Sequence, residues 1–109
     1  MYIPDKGDVV FFSFDPSAGK EIMKRRPAFV VSKKIFNEHT GFAVVAPITS
    51  TIRNMKLEVV LSDKMVTNGS VMIHQMKSLD FRDRQAKFIE KAPSTITQKV
   101  TNLAKAIIS

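Results

Sequence analysis

The apolar segments of this chain are short, rich in Val, Ile and Phe, and stopped at intervals by turn residues. Val9-Val10-Phe11-Phe12-Ser13-Phe14 runs into Asp15-Pro16. Ala28 to Ser32, Phe42 to Thr49, Leu57 to Leu61 and Val71 to Leu79 follow, with a shorter segment at Ala86-Lys87-Phe88-Ile89. Runs of β-branched and aromatic residues at that length are strand signals. They predict a mainly β fold, a small barrel or sandwich. Pro47, inside the third run, demands an edge, a bend or the end of its strand.

The C-terminal segment has a different period. Ser94, after Pro93, offers a hydroxyl as an N-cap. Ile96, Val100, Leu103, Ala104 and Ile107 form one stripe at helical spacing. A terminal helix packed on the β structure is expected. The segments from Asn37 to Gly41 and from Asp63 to Asn68 can each hold a further helical turn.

At 109 residues the chain reads as a single domain, 1–109. A chain of this size buries about two-thirds of its surface on folding, enough for a core without staples. It contains no cysteine, which excludes disulfides, thiolate zinc sites and cysteine nucleophiles. No apolar run approaches the roughly 18 residues needed to span a bilayer. The first residues carry no apolar signal region, so a cytoplasmic location is expected. Seventeen Lys and Arg against ten Asp and Glu leave a charge of +7. Such a balance suits nucleic acid, an anionic surface or an acidic protein partner. The charge concentrates in two connections. Pro16 to Pro27 carries Lys20, Lys24, Arg25 and Arg26 with Glu21 as its one acid, and Ser50 to Lys56 carries Arg53 and Lys56 with none. Two basic loops beside a small barrel suit a clamp on a phosphate backbone.

The residues for metal chemistry are missing. His39 and His74 stand at no ligand spacing, and the acids form no metal motif. A glycine-rich phosphate loop and a Gly-x-Ser-x-Gly elbow are both absent. An enzyme built from this sequence needs neither a metal nor an organic cofactor. Cleavage of RNA meets that restriction, because the substrate brings its own nucleophile, the 2′-OH. The protein then supplies a base, cations for the phosphorane and an acid for the 5′-oxygen.

Six pieces occur in order: Gly7-Asp8; Phe14-Asp15-Pro16-Ser17-Ala18-Gly19-Lys20-Glu21; Arg26-Pro27-Ala28; Val31-Ser32 with Asn37 and Thr40-Gly41; Pro47-Ile48-Thr49-Ser50; and Gln75-Met76-Lys77-Ser78-Leu79-Asp80. Each is weak alone. Together, across essentially the whole chain, they resemble the MazF/PemK family of bacterial toxins, the mRNA interferases of toxin–antitoxin pairs. The resemblance implies an SH3-like β-barrel with appended helices, acting as a homodimer. It implies metal-independent cleavage of single-stranded mRNA at a short word, leaving 2′,3′-cyclic phosphate and 5′-OH ends. It also implies a cognate antitoxin whose acidic, disordered tail wraps the basic groove.

Residue by residue, Arg26 matches the family's catalytic arginine, which holds the scissile phosphate as electrostatic stabiliser or acid. Thr49 matches the active-site threonine, whose hydroxyl donates to a non-bridging oxygen. Glu21 matches an acid of the first loop, as base or loop organiser, and Gln75 a glutamine near the site. The residue before that glutamine is often an acid in the family and is His74 here. An imidazole titrates near neutral pH and can take over that role, so the base lies between His74 and Glu21. Lys20, Lys24, Arg25, Arg53, Lys56 and Lys77 are expected along the RNA, with Phe36 and Phe81 as candidate stacking platforms. Two other readings stay open. One is a gyrase poison of the same barrel architecture, which would need neither Arg26 nor Thr49. The other is a non-catalytic nucleic-acid-binding module, in which Arg26 would serve affinity alone.

Overall fold

A computed structural model describes residues 1–14 and 25–108. The elements run β1 (Asp8–Ser13), β2 (Arg25–Val30), α1 (Lys34–Thr40), β3 (Phe42–Thr49), β4 (Glu58–Val60) and β5 (Ser70–Met72). A 3-10 turn (Ile73–Gln75) leads on to β6 (Lys77–Asp80), β7 (Lys87–Lys91) and α2 (Ser94–Ile108). Every strand pairing among the described residues is antiparallel, in the order β4-β5-β3-β2-β1-β7, with β6 also on β3. The mainly β architecture with a C-terminal helix is as expected. Closure is not: among the described residues no ladder joins β7 to β4 or β6, so the sheet stays open. With only three and four residues, β4 and β6 are too short to close the gap, and α2 packs against β4 and the 3-10 turn instead.

The apolar runs are continuous because the central strands are buried on both faces. Successive side chains of a strand point to opposite sides. Val9, Phe29, Ala46 and Ile48 join a core with Val59, Val71, Ile73 and the helix residues Ile96, Val100 and Ala104. Val10, Phe12, Ala28, Val30, Ala43 and Val45 form a second core with Phe81. Phe81 is therefore a core residue and not a stacking platform.

The run from Val71 to Leu79 is two strands, not one. β5 pairs with β3 at Ile48↔Val71 and Thr49↔Ser70. β6 pairs with the other half of the same edge, from Val45↔Lys77 to Phe42↔Asp80. The 3-10 turn spans the interruption between these ladders, opposite Ala46 and Pro47. Pro47 thus sits inside a central strand, at the one place on that edge where neither ladder reaches.

Two smaller expectations also change. α2 starts at Ser94, and the Pro93 carbonyl accepts from the Ile96 and Thr97 N–H groups, so Pro93 occupies the cap position. Asp63 to Asn68 holds turns and no helix. The Glu90 carboxylate accepts there from the N–H groups of Val66 (3.1 Å) and Thr67 (2.7 Å). Burial pushes Glu90 up, but the Thr67 hydroxyl and these N–H groups outweigh it and hold its carboxyl below the usual range.

The end of the sheet at Val30 is tied by polar networks. Asn37, fully buried, donates to the carbonyls of Pro4 (2.8 Å) and Ser32 (3.2 Å). The Ser32 hydroxyl donates to Asn37 Oδ1 and accepts from the Val44 N–H. Gly41, at φ 77°, closes α1 with its N–H on the Asn37 carbonyl, a left-handed cap that favours glycine. Buried Asp8 accepts from the Tyr2 hydroxyl and the Asp5 N–H, and pairs with Lys91 Nζ at 2.8 Å.

Candidate active site

Arg25 and Arg26 are adjacent, and the pleat sends their side chains to opposite faces. Arg26, opposite Phe12 in β1, is exposed, and its guanidinium has no hydrogen-bond or ion-pair partner among the described residues. Arg25 is engaged: Nη2 donates to the Gln85 carbonyl at 2.7 Å, Nη1 to Gln85 Oε1 at 3.3 Å, and the guanidinium lies 5.7 Å from the Phe11 ring centre. Among the described residues the basic pair is thus one free cation and one cation holding the β6–β7 connection against β1.

β2 and β3 pair from Val30↔Val45 to Ala28↔Pro47. Continued two residues further, that register sets Arg26 against Thr49 on the same face. The ladder itself ends at Ala28↔Pro47, and both residues lie beyond it, toward the same end of the sheet. The Thr49 hydroxyl oxygen accepts from the Thr51 N–H at 3.2 Å, which leaves its proton free to donate elsewhere. Gly69 closes on Thr49 from β5's side. Its φ is 119°, and a Cβ there would lie 2.0 Å from the Thr49 carbonyl oxygen. Only glycine permits this approach.

His74 and Gln75 are exposed on the 3-10 turn that joins the β5 and β6 ladders along β3, and not along a buried strand. Gln75 Nε2 lies 3.8 Å from the Met72 sulfur. Arg53, in the loop after β3, directs Nη1 to the same sulfur at 3.7 Å. Lys56 is exposed in that loop, and Lys77 is exposed at the start of β6. Phe36 is on α1, at the opposite end of the strands, and the fold does not bring it to Arg26 and Thr49. Lys20, Glu21 and Lys24 lie outside the described residues.

One group escaped the sequence reading. Glu58, in a strand whose alternation points it to solvent, has a side chain that is 0% exposed. Its Oε1 accepts from the Arg53 N–H and the Ser70 hydroxyl, each at 3.2 Å, and its Oε2 stands 3.8 Å from Arg53 Nη1. The available signal was the arginine five residues before it. Among the described residues no cluster of three or more His, Asp or Glu side chains is placed to hold a metal ion.

An open antiparallel sheet with a C-terminal helix packed on it defines a small, mainly β protein, with an exposed arginine that has no partner among the described residues at one end. The chain belongs to the PemK-like, MazF-like toxins of type II toxin–antitoxin systems, whose family model matches residues 5–108. It is 34% identical to the endoribonuclease toxin MazF of Escherichia coli K12 over 108 residues, covering 99% of this chain and 93% of that one. It is 31% identical to the endoribonuclease PemK of Escherichia coli, covering 96% of this chain and 82% of that one. Among solved structures, MazE-MazF from Deinococcus radiodurans superimposes with a TM-score of 0.90 at 33% identity, covering 99% of this chain and 97% of that one.

Proposed function

We infer that this protein is an endoribonuclease toxin, an mRNA interferase that cuts single-stranded RNA at a short word without a metal. The whole chain, 1–109, is read as one toxin domain. The observation that carries the reading is Arg26, an exposed guanidinium with no partner among the described residues, on a strand whose register on β3 runs toward Thr49, in a chain of this family.

The chemistry follows from the substrate. The 2′-oxygen attacks the adjacent phosphorus, the bond from phosphorus to the 5′-oxygen breaks, and the products are a 2′,3′-cyclic phosphate and a 5′-hydroxyl. Negative charge builds on the non-bridging oxygens. Arg26 neutralises it and Thr49 donates a hydrogen bond to it, the kind of donor typically worth about 10²- to 10³-fold in rate. His74 or Glu21 takes the 2′ proton, and the 5′-oxygen gains one from Arg26 or from the other of these two groups. Gln75 stands beside the site and holds the substrate rather than moving a proton. Lys20, Lys24, Arg53, Lys56 and Lys77 add positive charge along the RNA. Arg25 contributes field but is committed to Gln85.

The family description supports a cognate antitoxin, and the charge of +7 suits an acidic one. We read the active form as a homodimer acting in the cytoplasm; no helix of the described residues is long and apolar enough to cross a membrane.

The test is to incubate the purified, antitoxin-free protein with a long mixed-sequence RNA in excess EDTA and map the new ends. Discrete cuts at one repeated word, each with a 5′-OH, are expected. Intact RNA from a folded protein, or cutting that EDTA abolishes, overturns the reading.

A further inference from the structure

The donors of Arg53 and Gln75 converge, at 3.7 and 3.8 Å, on the Met72 sulfur. A thioether is a weak acceptor, and beyond it the Arg53 guanidinium has only a long, 3.8 Å ion pair to Glu58 Oε2, so two strong donors meet at a weak acceptor. The Arg53 side chain is half exposed and Gln75 is exposed, so both can turn outward together. What fits two converging donors, one of them a cation, is a phosphate oxygen.

Arg53 does not reach this position through its own loop. Every residue from Ser50 to Leu57 is exposed. The loop is held by Glu58, whose Oε1 takes the Arg53 N–H and the Ser70 hydroxyl. Ser70 pairs with Thr49 across β3 and β5. One buried carboxylate therefore links the Arg53 backbone to the strand that carries Thr49. Glu58 Oε2 makes no hydrogen bond and has only the long contact to Arg53. A fully buried carboxylate paired so incompletely is a poor contributor to stability, and its geometry serves placement instead.

We propose that Arg53 and Gln75 form a second phosphate subsite, for a backbone phosphate neighbouring the scissile one, and that Glu58 is its positioning residue. Arg53 and Gln75 touch the RNA; Glu58 acts through Arg53. The proposal rests on the endoribonuclease reading for its place in the reaction, but RNA binding tests it without cleavage.

The probe is a 2′-O-methyl oligoribonucleotide, which binds but cannot react, titrated by fluorescence anisotropy across a salt series. Arg53→Ala should weaken binding several-fold and reduce the salt slope by about 0.7, the value for one phosphate contact on a single strand. Glu58→Ala should match it, and Glu58→Gln, which keeps an acceptor at Oε1, should restore most of the loss. The double variant Arg53→Ala/Glu58→Ala should bind no worse than Arg53→Ala, because Glu58 serves the subsite through Arg53 and its bond to Ser70 reaches β5 rather than the RNA. In cleavage the same variants should raise KM and spare kcat. Hydrogen exchange at the Arg53 amide should quicken in Glu58→Ala and stay slow in Glu58→Gln. An unchanged salt slope in Arg53→Ala, losses that multiply in the double variant, or a fall confined to kcat would each overturn the subsite. A wild-type protein that binds the probe with these dependences but leaves reactive RNA intact would overturn the nuclease reading alone.

Discussion

The two ends of the sheet treat polar groups in opposite ways. At the Val30 end, Asn37, Ser32, Asp8, Tyr2 and Lys91 are mutually satisfied. At the Thr49 end, Arg26 has no partner among the described residues, Arg53 and Gln75 share a thioether, and Glu58 leaves one oxygen without a hydrogen bond. Satisfied networks fix a structure, whereas underused donors at an exposed edge are available to a ligand. On the proposed function, the Val30 end serves stability and the Thr49 end serves the RNA.

The sharpest way to break that division is Arg26→Ala. Cleavage should fall 10²-fold or more, about 2.7 kcal/mol of transition-state stabilisation. Because the side chain is exposed and unpartnered, the thermal midpoint should move by no more than about 2 °C. Thr49→Ala should behave alike, and undiminished cleavage in both folded variants would sink the site assignment. Asn37→Ala should do the reverse. It leaves buried acceptors at Pro4 and Ser32 and a Ser32 hydroxyl without its acceptor, costing about 2–3 kcal/mol in a denaturant titration. Cleavage by the fraction still folded should persist. Gly69→Ala crosses the division: a Cβ 2.0 Å from the Thr49 carbonyl must displace Thr49, so stability and cleavage should fall together. Loss of one without the other would uncouple Gly69 from the site.

The neighbour of Arg26 offers a finer comparison. Arg25→Ala gives up the bonds to Gln85 and the Phe11 contact, for a loss of about 1 kcal/mol in stability. Cleavage should drop at least tenfold less than in Arg26→Ala. Equal losses would mean that the pleat does not separate the two.

The smallest effect is a pH dependence confined to the Val30 end. Burial and the Asp8 hydrogen bond push the Tyr2 hydroxyl above its ordinary value of 10.0. Burial alone would lower Lys91, but Asp8 and Asp5 outweigh it and raise it above 10.5. Both groups are favoured in their protonated forms by folding. Their contributions are complete below those ordinary values and are lost as pH climbs through the folded ones. Thermal midpoints should therefore decline above about pH 10, and Tyr2→Phe should flatten that decline. An alkaline limb unchanged by Tyr2→Phe would remove Tyr2 from the account.

Much of the fold was legible because periodicity reports burial. The first three runs are strands with both faces covered over most of their length, Phe11 and Phe42 apart, and their lack of alternation says so. The break at Ile73 to Gln75 was not legible. No glycine or proline marks it, and it is imposed from across the sheet, where β3 changes partners beside Pro47. That break decides where His74 and Gln75 stand, so the site was less legible than the fold. Glu58 was hidden for a related reason. Leu57 is 36% exposed and the Glu58 side chain is buried, because its partners Arg53 and Ser70 come from elsewhere in the chain. Arg26 and Thr49 were proposed through the family resemblance, and the β2–β3 ladder, which ends at Ala28↔Pro47, runs toward both.

The pairing of β1 with β7 bears on when this molecule can assemble. Asp8 lies opposite Lys91 and Val9 opposite Glu90, so the first strand made is completed by the last. During synthesis β1 can pair with β2, but its other edge waits until residue 91 has left the ribosome. Contacts that span nearly the whole chain are the slow ones to form. β1 therefore gains its second neighbour only once β7 is made, and a chain cut short before Lys91 would leave that edge of β1 unpaired.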